Sequence, residues 1–131
     1  VALASEGARV SVHARDQGKA AAVADLVGGS VGPFPPPAGG WDLLVNCTPI
    51  GMHPRLDQTP LPPSAISRGI VYDLVYNPPV TRLLRDAATA GCDTIGGLDM
   101  LVAQAQEQFE WWTGIRPESG TMRSAALKRL S

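Results

Sequence analysis

Two cations bracket the start of a helix in Ala14-Arg15-Asp16-Gln17-Gly18-Lys19, directly after a strand-like run. A helix N-terminus offers free N–H groups and the positive end of its dipole, so anions gather there. Arg15 and Lys19 add mobile positive charge, and charge-assisted hydrogen bonds of this kind are worth roughly 1.5–3 kcal/mol each. Where such a loop follows the second strand of a dinucleotide-binding sheet, Arg favours a ribose 2′-phosphate and an acidic residue a free 2′-hydroxyl. Asp16 therefore has two possible jobs, capping the helix or turning to the ribose. Three further segments of Gly, Pro and polar residues stand at strand-like ends: Asn46–Pro54, Tyr76–Pro79 and Gly96–Leu101. Ligands of open parallel sheets bind outside the carboxyl ends of the strands, so four such segments together outline a binding edge.

Other patterns carry less. Gly28-Gly-Ser30-Val-Gly32 has the nucleophile-elbow spacing, but Pro33-Phe-Pro-Pro-Pro37 follows where that motif needs a helix. Asn46-Cys-Thr48 is a glycosylation sequon at a buried strand end, where chance explains it better. His13 and His53 stand forty residues apart with no carboxylate or thiol at ligand spacing, so no metal site is expected. The lysines are Lys19 and Lys128 alone, one within the Ala14–Lys19 helix start and one in the last helical segment.

Composition narrows the class. The 131 residues fit one domain, and 11 Lys+Arg against 12 Asp+Glu exclude a nucleic-acid or membrane-surface binder held by bulk charge. Cys47 and Cys92 form no C-x-x-C pair, no apolar run approaches a membrane span, and no signal peptide is visible. A reducing, cytoplasmic setting is therefore expected. The opening Val1–Gly7 reads as the end of a helix, which suggests an N-terminal truncation.

The elements that must hold these residues alternate between strand and helix, which predicts an α/β fold with a parallel sheet. Strands are expected at Ala8–His13, Trp41–Asn46, Ile70–Tyr76 and Asp93–Ile95, with at most a short one before a Pro-rich loop within residues 29–40. Helices are expected at Gln17–Val27 (stripe Ala20, Val23, Leu26, Val27; stop Gly28), from Pro79 to Gly91, over Leu98–Trp112, and over Ser119–Leu130. The stripe Leu98, Leu101, Val102, Ala105, Phe109 and Trp112 predicts one buried face on the third of these.

The chain resembles the cofactor-binding domain of the shikimate dehydrogenase family. Ala14-Arg15-Asp16-x-x-Lys19 is similar to that family's N-R-T-x-x-R/K element, departing at Ala14 and Asp16. Asn46-Cys-Thr-Pro-Ile-Gly-Met52 resembles its N-A-T-P-x-G-M turn. Asp73-Leu-Val-Tyr76-Asn-Pro-Pro-Val-Thr81-x-Leu-Leu84 resembles its D-x-x-Y-x-P-x-x-T-x-L-L run, and Gly96-Gly-Leu-x-Met100-Leu-x-x-Gln104 its G-x-x-M-L-x-x-Q helix start.

The resemblance implies a Rossmann-like, doubly wound parallel sheet, read as a single partial dinucleotide-binding domain over residues 1–131. The first strand and Gly-rich turn would lie upstream, and residues from about 115 would dock on a separate N-terminal substrate domain that holds the catalytic Lys and Asp. It implies NADP as cofactor, touched by Ala14, Arg15, Asp16, Lys19, Asn46, Thr48, Leu74, Gly97 and Met100. Tyr76 and Gln104 would reach a small polyhydroxylated acid, shikimate or 3-dehydroshikimate; each offers both donor and acceptor capacity. Gly97 lets backbone approach a ligand closely. The implied activity is hydride transfer between 3-dehydroshikimate and shikimate, with the isolated chain inactive. A quinate/shikimate enzyme with relaxed NAD/NADP use, a non-catalytic NADP-binding module and the nucleotide domain of glutamyl-tRNA reductase are the alternatives. The Tyr76 and Gln104 motifs argue against the last.

Overall fold

Short strands and longer helices alternate through residues 1–130, the part of the chain described by the computed structural model. The order is α1 (Ala2–Ser5), β1 (Ser11–His13), α2 (Gln17–Val27), β2 (Ser30–Gly32), β3 (Leu43–Asn46), β4 (Ile70–Asp73), α3 (Arg82–Thr89), β5 (Asp93–Gly96), α4 (Gly97–Thr113) and α5 (Ser119–Leu130). The fold is α/β with parallel strands in two pieces, a β1-β2 pair and a β3-β4-β5 sheet. The chain divides accordingly into two compact units, Val1–Gly40 and Trp41–Ser131.

In the first unit α2 begins and ends as its sequence predicts. The Asp16 carboxylate accepts from the Lys19 N–H, and Gly28 closes the last turn in a left-handed conformation. Its packing differs from the expected stripe: Ala20 and Ala24 are buried, whereas Val23 and Leu26 are exposed. Only small side chains fit between α2 and the short β1-β2 pair, so the bulkier residues point outward.

In the second unit the core lies on one face of the sheet, where Leu61, Ala65, Ile66, Val71, Leu83, Leu84, Ala87 and Cys92 pack, flanked by Trp41 and Leu44. Four elements are shorter than their patterns suggest, among them β1, which begins at Ser11 and not Ala8, and β3, which begins at Leu43 and not Trp41. β4 stops at Asp73, because that carboxyl accepts the Val75 N–H two residues on and turns the chain. α3 starts at Arg82 rather than Pro79: Thr81 caps it by accepting the Leu84 N–H, leaving Val80 outside and exposed.

α4 follows β5 without a loop and runs to Gly114. The expected burial of its distal stripe is not found, since Phe109 and Trp112 are 40% and 72% exposed. Burial on α4 is confined to Gly97, Leu98 and Val102 in its first two turns. α5 packs on α4, tied by an Arg123–Asp99 ion pair and a hydrogen bond from Gln106 Nε2 to the Pro117 carbonyl (2.9 Å). No helix among the described residues is long and apolar enough to cross a membrane.

Candidate functional site

Parallel register brings three strand ends level. Asn46 pairs with Asp73, and Asp73 with Gly96, so the last residues of β3, β4 and β5 stand in one row. Every segment leaving that row, Cys47–Thr48, Leu74–Tyr76 and Gly97–Met100, starts from the carboxyl edge of the sheet, where ligands of such folds are bound.

The row is cross-linked by polar side chains that are almost wholly buried. Asp73 Oδ1 accepts from Asn46 Nδ2 (2.9 Å) and the Val75 N–H (3.1 Å), while Oδ2 accepts from the Thr81 hydroxyl (2.6 Å). Asn46 Oδ1 in turn accepts both the N–H (3.0 Å) and the hydroxyl (2.7 Å) of Thr48. The Thr48 hydroxyl then receives the Ile50 N–H at 3.3 Å. Asn46 is thus spent within the protein: buried and bonded at both ends, it stands behind the turn, and the partly exposed Thr48 stands on it.

Two glycines complete the edge. Gly51 adopts a φ of +92°, a left-handed conformation costly for other residues, and a Cβ there would come within 3.1 Å of the Gln58 carbonyl. At Gly97 an added Cβ would press on the Leu74 carbonyl and lie 2.6 Å from that of Val75. The close approach that Gly97 permits is therefore to the chain's own backbone, and it seats the start of α4 against the end of β4.

Tyr76 is exposed just beyond that contact, and Gln104 is exposed on α4. Gln104 follows Gly97 by seven positions, two helical turns or about 10 Å, so both lie on the same side of α4. Met100 and Leu74 are partly buried beside them. Neither the Tyr76 hydroxyl nor the Gln104 amide bonds to any described residue, which leaves both available to a ligand.

Cys47 follows Asn46 and is exposed as a residue, but desolvation by the surrounding protein, with the Asp73 charge second, pushes its thiol above the ordinary range. Burial, and then the charges of Asp99 and Cys47, likewise push the Tyr72 hydroxyl upward. No group of three or more possible metal ligands occurs among the described residues.

In the first unit Ala14 is partly buried, and Arg15, Asp16 and Lys19 are exposed. Asp16 is committed to capping α2, with Lys19 Nζ 3.9 Å from its second oxygen. Arg15 makes no ion pair with any described residue. Sequence reasoning quoted Asp73 and Thr81 inside a motif but gave them no role. The signal was there: an acidic residue closing an apolar strand, with a cap-forming Thr eight residues on.

A family model for the shikimate 5′-dehydrogenase C-terminal domain matches residues 97–127. The NADP(+) shikimate dehydrogenase of Archaeoglobus fulgidus is 47% identical over 90 residues, 68% of this chain and 34% of that protein. The corresponding protein of Pyrococcus abyssi is 44% identical over 104 residues, 79% of this chain and 39% of its own length. Among solved structures, shikimate 5-dehydrogenase of Thermus thermophilus in complex with NADP(H) and shikimate superimposes with a TM-score of 0.89 at 36% identity. That match covers 99% of this chain and 49% of the other. The chain spans little more than a third of the curated relatives and about half of the solved one.

Proposed function

We propose that this chain, which belongs to the shikimate dehydrogenase family through its C-terminal domain, forms the NADP-binding part of an enzyme that interconverts 3-dehydroshikimate and shikimate. The observation that carries the reading is the level row Asn46–Asp73–Gly96, from which Thr48, Leu74, Tyr76 and Gly97 emerge at one sheet edge. The bound nicotinamide would supply the hydride chemistry. Leu74, Gly97 and Met100 would border its ring, and Thr48 would line its approach. Tyr76 and Gln104, unpaired within the protein, would hydrogen-bond the polyol acid.

The first unit would hold the adenosine end. Arg15 is free of ion pairs and Lys19 stands four residues on, at the start of a capped helix. Asp16 has one oxygen in the cap and the other 3.9 Å from Lys19 Nζ, which makes it less available to a free 2′-hydroxyl. The arrangement thus favours NADP over the relaxed NAD/NADP use of a quinate/shikimate enzyme. Both units would belong to one dinucleotide-binding domain.

Proton transfer would fall to a Lys and an Asp of a separate substrate domain, since Lys19 and Lys128 are the only lysines here. Two assays test the reading. The full-length protein should oxidise shikimate with NADP, and the 131-residue chain should not. Turnover by the 131-residue chain would mean that the acid/base groups lie within it. A full-length protein that binds NADP and turns over no shikimate would be a binding module instead.

A further inference from the structure

We propose that Asp73 is a positioning residue that sets the two ligand-facing turns, Asn46–Thr48 and Leu74–Tyr76, against the N-terminus of α3. The claim rests on the reading of those turns as ligand-facing. Its own basis is geometric. Asp73 and Thr81 are fully buried and Asn46 nearly so, yet no cation accompanies the Asp73 carboxyl among the described residues. A carboxyl group without a charge partner is an expensive way to fill a core site, and an apolar side chain of similar volume would be cheaper there.

What an apolar residue cannot do is collect donors. The three that converge on Asp73 come from three segments: the end of β3, the turn after β4 and the cap of α3. Each oxygen has a separate task. Oδ1 holds Asn46 and Val75 together, and Oδ2 anchors Thr81, whose hydroxyl also accepts the Leu84 N–H. Asn46 relays the constraint outward. Because its Nδ2 is held by Asp73, its Oδ1 must face Thr48, and this fixes the turn without any direct contact between Asp73 and Thr48.

Amide hydrogen exchange on the 131-residue chain reads the relay, because the Thr48 N–H bonds to Asn46 and not to Asp73. In Asp73→Ala, exchange at Thr48 and Val75 should accelerate at least tenfold, while the Cys92 amide, bonded to the Ala87 carbonyl, changes less than threefold. Asp73→Asn keeps an oxygen for Asn46 and Val75, and should restore both amides to within threefold of the parent chain. Unchanged protection at Thr48 in Asp73→Ala overturns the proposal, as does a uniform loss that includes Cys92. Should Asp73→Ala fail to fold, Asn46→Asp keeps the acceptor for Thr48 but replaces the donor to Asp73 with a like charge. Tenfold faster exchange at Thr48 supports the relay there, and no change refutes it.

In the proposed dehydrogenase, Asp73→Ala should lower kcat/KM for shikimate at least tenfold per folded molecule, and Asp73→Asn should recover most of that loss. An Asp73→Ala protein with parent kinetics would refute positioning. A parent enzyme without shikimate turnover would sink the functional reading alone, because the exchange result does not depend on it.

Discussion

Arg15 and Cys47 show what a single side chain is asked to do here. Arg15 is exposed and unpaired, and its proposed partner is a 2′-phosphate. In the full-length protein Arg15→Ala should raise KM for NADP roughly tenfold or more, the loss of a charge-assisted bond of about 1.5–3 kcal/mol, and leave KM for NAD nearly unchanged. Equal shifts for both cofactors would remove Arg15 from the phosphate site. The thiol of Cys47 is raised by desolvation and by the Asp73 charge, so its reactive thiolate is scarcer at neutral pH than in a fully solvated cysteine. Alkylation followed from pH 7 to 10 should be slow at first and show a midpoint above that of a free thiol, and Asp73→Asn should move that midpoint down. The Arg15 hypothesis was legible in the order of residues, because a cation beside a helix start has one evident use. The state of Asp16 was not. Its carboxylate could cap or recognise, and in the structure one oxygen accepts the Lys19 N–H at 3.1 Å.

At the scale of elements, two contacts decide how helices meet the sheet edge. Thr81 both caps α3 and satisfies Asp73, so Thr81→Ala removes a cap worth roughly 0.5–2 kcal/mol and strands a buried oxygen at a cost of about 1–3 kcal/mol. Denaturant unfolding should show the combined loss, about 2–4 kcal/mol, whereas Thr81→Ser should lose well under half as much. Gly97→Ala forces a methyl group onto the Leu74–Val75 backbone, which cannot move aside as a flexible side chain would. We expect a loss of about 1–3 kcal/mol and, in the full-length enzyme, a fall in kcat as the start of α4 lifts from β4. A Gly97→Ala protein with parent stability and kinetics would mean that the approach is looser than described. Helical periodicity located α2, α3 and α4, but the ends of α3 and β4 were set by polar bonds from Thr81 and Asp73. Periodic apolar patterns carry no record of such bonds. They also misjudged Trp112, since a stripe continues along a helix whether or not a sheet is long enough to cover it.

Across the whole molecule, burial is uneven. The first unit buries Ala20 and Ala24 as its apolar core, whereas the second gathers eight buried residues around Val71 and Leu83. A unit of about forty residues with so little apolar burial is marginal. Amides in β1, β2 and α2 of the 131-residue chain should therefore exchange at least tenfold faster than those of Val71, Leu83 and Leu84; equal protection would contradict this. The α/β class and the parallel direction of the strands could be read from the sequence by itself, because they depend on spacing within short segments, whereas the residues proposed for the ligand edge rest on the resemblance of four motifs. The level register of Asn46, Asp73 and Gly96, the withdrawal of Asn46 behind its turn, and the buried network around Asp73 were decided by tertiary structure. They depend on donors and acceptors as far apart in the chain as Asn46 and Asp73 meeting at 2.9 Å, which no local pattern encodes.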